Sequence, residues 1–207
     1  NMTHDAWSWA AMLTSALLIV GYELQLWRAG RKNPAATARS AHRMLRGEWV
    51  QALAKQPGSE LLAVQALRNS LMSATINAST AALALMGSIT LIASKTSATA
   101  FQLSPKLILQ LALATTMFAA YVCSAFAMRY YHHAGFVMSL PIGAPAREIR
   151  APLAASYVQQ AGTLYSWSLR CFLFVAPIVS GLLHPWLSPA VALGLLFVLA
   201  MFDRVPR

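Results

Sequence analysis

Five apolar runs, each close to the length needed to cross a bilayer, constrain this chain more than any other feature. They cover residues of about 6–27, 69–93, 107–128, 165–183 and 187–202. A hydrocarbon core of about 30 Å needs roughly 20 residues of α-helix. Helices satisfy their own backbone hydrogen bonds where no water is available to do so. Residues 1–207 are therefore read as a single membrane domain, an all-α polytopic transmembrane helix bundle of about five spans. Composition agrees, because 57% hydrophobic and 11% charged residues are too apolar for a soluble fold of this length. The fifth run is the shortest. His184, Pro185 and Trp186 separate it from the fourth, which is the pattern of a tight helical hairpin.

Basic residues set the expected orientation. With the N-terminus outside and the C-terminus cytoplasmic, the inner segments hold Arg28, Arg31, Lys32, Arg39, Arg43, Arg46, Lys55, Arg68, Arg129, Arg147, Arg150, Arg204 and Arg207. Lys95 and Lys106 fall outside, and Arg170 lies within the fourth run. The net charge of +10 thus reads as a cytoplasmic membrane face and not as a nucleic-acid surface. A bacterial cytoplasmic (inner) membrane is the expected location. Trp7, Trp9, Trp27, Trp167 and Trp186 sit near span ends, as interface anchors do. The first run has no basic segment before it and exceeds a signal-peptide core in length, so it is expected to remain as a span.

An amphipathic helix is expected over about 36–55, with Leu45, Trp49 and Leu53 at spacing four opposed by Arg39, Arg43 and Arg46. It either lies on an anionic leaflet or packs on the protein's own cytoplasmic surface. Pro57 and Gly58 break the chain after it. Ser59 as N-cap and Glu60 in the first turn then open one long helix reaching about Ser94. Pro141, Gly143 and Pro145 mark a loop, Pro152 suits a helical first turn, and Pro177 is expected to kink span four.

Span two carries the most polar groups. Asn69, Ser73, Asn77 and Thr80 share one helical face, beside a small-residue strip of Ser70, Ala74, Ala78 and Ala82. Span three offers a matching strip in Ala112, Thr116, Ala120 and Ser124. The polar face either bonds neighbouring helices or lines a hydrated path or solute site. At the inner end, Arg68, Arg129 and Arg170 face Glu23 and Asp203 as ion-pair partners in an expected cationic collar. Such a collar either binds a phosphate, carboxylate or lipid headgroup, or staples the helices through ion pairs.

The blocks VQALRNSLMSATINAST, RYYHHAGFVMSLP and SLRCFLFVAPIVSGLLHPW resemble those of the domain of unknown function 599 family, multi-spanning membrane proteins of bacteria and plants. The resemblance runs from about Trp49 to Arg204 and implies a fold without implying an activity. No Walker loop, nucleophile elbow or HExxH is present, and six acidic residues offer no acid–base pair, so an enzyme is not expected. Cys123 and Cys171 form no CxxC pattern, and no metal site is expected. No cofactor is expected either, with haem at His132 or His133 as the remaining option. Two functions fit. One is a channel-like or carrier-like component handling a small polar or anionic solute, and the other is a non-catalytic accessory or scaffold subunit that binds anionic lipid or partner subunits. The expected partners are anionic membrane lipids, and either further copies of the chain in a homo-oligomer or the other subunits of a membrane complex.

Overall fold

The computed structural model describes residues 2–33, 37–93 and 103–204. Asn1, Ala36, Lys95 and Arg207 lie outside the described residues. Among the described residues six helices follow in order: α1 (Met2–Lys32), α2 (Ala38–Lys55), α3 (Glu60–Ala93), α4 (Pro105–Met138), α5 (Pro145–Leu183) and α6 (Leu187–Phe202). Four of them, α1, α3, α4 and α5, are long and apolar enough to cross a membrane. The fold is all-helical, as expected, with four helices of spanning length among the described residues where about five spans are expected.

Helix length carries a constraint of its own. The 34 residues of α3 and of α4 extend about 51 Å, and the 39 of α5 about 58 Å, against about 30 Å of hydrocarbon. Part of each helix must therefore lie outside the lipid core. The charged ends suit this, with Glu60 and Arg68 on α3, Arg129 on α4, and Arg147, Glu148 and Arg150 on α5. The expected long helix opening near Ser59 is α3. By contrast, α4 runs ten residues past the expected end of span three at residue 128, and α5, expected to open near Pro152 and run into span four, begins at Pro145. The first turn of α5 holds Pro145, and Pro152 lies within the helix, which is also unbroken at Pro177. At 16 residues, about 24 Å, α6 is short for a span.

The chain divides into two compact units. The first combines residues 1–38, 81–119 and 170–207, and the second residues 39–80 and 120–169. In the first unit α1 packs against α6. The α5–α6 hairpin is tight, as expected: the Leu187 N–H donates to the His184 carbonyl at 3.0 Å. A Cβ on Gly181 would come within 3.1 Å of the Ser188 Cβ, so glycine sets the spacing of the two helices there.

The second unit is held by small residues. Ala63, Ala74, Ala127, Ala134, Ala154 and Ala161 are fully buried, and Val50, Leu53, Leu67 and Met138 fill the space between them. Of the two settings expected for α2, the structure takes packing on the protein's own helices. The buried face is Gly47, Val50 and Leu53, so the expected Leu45–Trp49–Leu53 stripe is rotated, and Leu45 is exposed. Close contact explains the rotation. A Cβ at Gly47 would lie 2.1 Å from Gln159 Nε2, and one at Gly162 would lie 2.3 Å from Arg46 Nε. Burial there pushes the Arg46 guanidinium below its ordinary pKa.

Arg147 is buried at 1% exposure and joins three segments. Its guanidinium donates to the Met138 carbonyl at 2.9 Å, to Leu140, and to the Leu53 carbonyl at 3.1 Å. These are chain ends of α4 and α2, where carbonyls lack intrahelical partners and a cation is favoured. The Ser59 hydroxyl works on the same side, donating to Leu53 O at 2.7 Å instead of capping α3. Gly58, at φ +78°, makes the turn between α2 and α3. Replacing Arg147 with alanine orphans several carbonyls, and we expect it to cost about 3 kcal/mol or more. Thermal unfolding of the purified protein in detergent measures this, and an unchanged midpoint contradicts the assigned role.

Candidate functional site

Three helices of the first unit bring their ionisable groups to one point. Tyr22 and Glu23 lie on α1, Arg170 on α5, and Asp203 follows the last turn of α6, where its N–H closes on the Leu199 carbonyl at 2.8 Å. The Arg170 side chain is 8% exposed and pairs through Nη1 with Glu23 and through Nη2 with Asp203. The Tyr22 hydroxyl donates to the other Asp203 oxygen, Oδ2, at 2.7 Å. The Asp203 carbonyl accepts the Ala38 N–H at 3.1 Å. Glu23 and Asp203 thus both pair with Arg170.

Arg170 has two carboxylates for one guanidinium, so its fork is occupied by protein and is not held open for a solute anion. That geometry favours stapling over binding. Buried charges cost several kcal/mol each to desolvate and are retained when their partners are in place. Arg170→Met strands two buried carboxylates and is expected to cost about 3–5 kcal/mol. The triple change Arg170→Met, Glu23→Gln and Asp203→Asn removes the stranded charges and is expected to restore most of the loss. Unfolding midpoints in detergent distinguish the two, and equal damage in both variants contradicts the pairing account.

Arg68 and Arg129 belong to the second unit and are exposed. Arg68 borders an open groove of about 390 Å³ between α3 and α4, together with Tyr131, His132 and Phe136. His132 and His133 are exposed, and the His133 ring stands 5.7 Å from that of Tyr157, itself stacked on Tyr130 at 5.7 Å. Among the described residues no three of His, Cys, Asp and Glu gather where they would hold a metal ion.

The polar face of α3 corrects the expectation of an interior seam. Asn69, Ser73 and Thr80 are exposed, whereas the small strip is turned inward, with Ala74 fully buried and Ala78 at 5%. Packing chooses the face with the smallest side chains, because it lets helix backbones approach closely. Two hydroxyls left outside return their protons to α3 itself, Ser73 to the Asn69 carbonyl at 3.1 Å and Thr80 to the Ile76 carbonyl at 2.9 Å. The Thr75 hydroxyl stands 2.9 Å from the Leu71 carbonyl and 3.1 Å from Met128 Sδ on α4. Asn77 is half-buried and cannot do this, and its Nδ2 has no hydrogen-bond partner among the described residues. Across α4 and α5, Ser124 and Ser168 are both fully buried, with their hydroxyls 2.6 Å apart.

Sequence reasoning overlooked Tyr22, Ser168 and Arg147's inward role. Tyr22 adjoins Glu23 and was open to notice as a second polar group at the same depth. Arg147 looked like one more basic loop residue, and only the fold brings three carbonyls to it.

No curated protein and no solved structure matches the chain. The family described as Protein of unknown function, DUF599, matches residues 10–207. With nearly the whole chain covered, including the helices that build the ionic cluster and the polar face, this protein belongs to the DUF599 family.

Proposed function

We propose that the protein is a non-catalytic membrane scaffold that pairs with a second copy of itself through α3 and holds anionic lipid headgroups at its basic end. One observation carries this reading. Asn69, Ser73, Ile76, Thr80, Leu83 and Gly87 are all exposed on α3 and are spaced four, three, four, three and four apart. That is the seam of a left-handed helix pair, in which every heptad presents two positions to the partner. Small and hydroxylated residues at such positions let membrane helices approach and bond across the contact. A second copy in parallel meets each residue with its equal at the same depth, so Asn69 faces Asn69 and Ser73 faces Ser73 in place of lipid. Arg68 and Arg129, exposed and outside the Arg170 cluster, are free to meet headgroup phosphates.

Disulfide cross-linking in native membranes tests this. In a chain with Cys123 and Cys171 replaced, Ser73→Cys and Thr80→Cys are expected to link two copies, and Ala78→Cys, on the buried face, is expected not to. Failure of both seam positions to link removes the reading. A second function, a path for a small polar or anionic solute, is favoured by the amide of Asn77, which has no hydrogen-bond partner among the described residues. Under it, Asn77→Leu abolishes solute flux in proteoliposomes. Under the scaffold reading flux is unaltered.

A further inference from the structure

The first unit contains a crevice that the pairing face and the ionic cluster do not use. It encloses about 310 Å³ between α1 and α4, walled by Leu13, Ala16, Ile19, Ile108, Ala112 and Phe174. Three hydroxyls also border it, from Ser15, Thr116 and Ser188. All three are turned to protein. Thr116 donates to the Ala112 carbonyl at 2.7 Å. Ser15 and Ser188 stand 2.9 Å apart with the Ala11 and Pro177 carbonyls, each at 2.9 Å, as acceptors. The crevice therefore shows an apolar surface to whatever enters it, which suits hydrocarbon and excludes a hydrated solute.

At one end the crevice meets a smaller cavity of about 140 Å³, and Met12, Leu109 and Ser188 line both. The smaller cavity has a different chemistry, because the exposed Lys106 borders it beside Ser8 and Pro185. Trp7 and Trp186, half-exposed with rings 5.6 Å apart, flank the same end of α1 and α6. Paired tryptophans of this kind mark the headgroup level of a bilayer. From Met12 to Val20 the crevice then follows α1 for about 12 Å toward the membrane interior.

A cation at headgroup level joined to an apolar slot that descends among membrane helices has the chemistry of an amphiphile site. We infer that this crevice holds one acyl chain of a phospholipid whose phosphate rests on Lys106. The ammonium complements the phosphate charge, and the walls bury the chain below it. The site is built from residues of the first unit at the end of α1 opposite Glu23, uses neither Arg68 nor Arg129, and does not depend on pairing through α3.

Native mass spectrometry of the full chain in mild detergent, titrated with phosphatidylglycerol, tests the assignment. The wild-type chain is expected to retain one lipid against dilution. Lys106→Glu is expected to lower retention about fivefold or more, and Lys106→Arg to preserve it. Ala112→Trp and, independently, Ala16→Trp fill the slot and are expected to abolish retention. Inorganic phosphate at millimolar concentration is not expected to displace the lipid. Equal retention by the wild type, Lys106→Glu and whichever tryptophan variant folds overturns the proposal, as does displacement by inorganic phosphate, which identifies a free-anion site.

Discussion

Close approach of helix backbones is the constraint on which the rest of this protein depends. Lipid supplies no hydrophobic drive for helices to associate, so contact area and short hydrogen bonds have to supply it. The second unit meets this with fully buried alanines on α3, α4 and α5 and with glycines on α2 and α5 that leave room for Arg46 and Gln159. The choice has a consequence for polarity. Once the small strip of α3 is committed to packing, the neighbouring face with Asn69, Ser73 and Thr80 has to point away from it.

Two buried arginines show different answers to the same cost. Arg170 is matched by carboxylates, which fixes α1, α5 and α6 around a point of opposing charge. Arg147 is matched by carbonyls in the last turns of helices, where partial negative charge is already present. The first arrangement needs acidic residues, and a chain with only six of them spends two there. The second needs none.

Much of this was legible in the sequence, because apolar length, Pro–Gly breaks and the hairpin turn are local signals. Glu60 opening α3, the link at His184–Trp186 and the pairing of Glu23 and Asp203 with an arginine all follow from spacing and depth. The facing of α3 did not. Both of its candidate faces have helical periodicity, and which one turns inward depends on the alanines of α4 and α5, far away in sequence. The rotation of α2 was hidden for a related reason, since Gly47 shows no hydrophobicity yet permits the closest approach. Helix overrun at residues 129–138 and 145–151 was hidden by composition, because these stretches are too polar to read as spans yet helical enough to continue the helices.

The ionic cluster also imposes an order on assembly. Glu23 is made long before Arg170, and Asp203 only after it, so when α5 enters the membrane its guanidinium meets one carboxylate already in place and must wait for the other. Docking of α6 is the event that adds the second carboxylate to the fork and brings Asp203 under the Tyr22 hydroxyl. The short last helix therefore closes the cluster, and the ionic network of the first unit is complete only once residue 203 is in place.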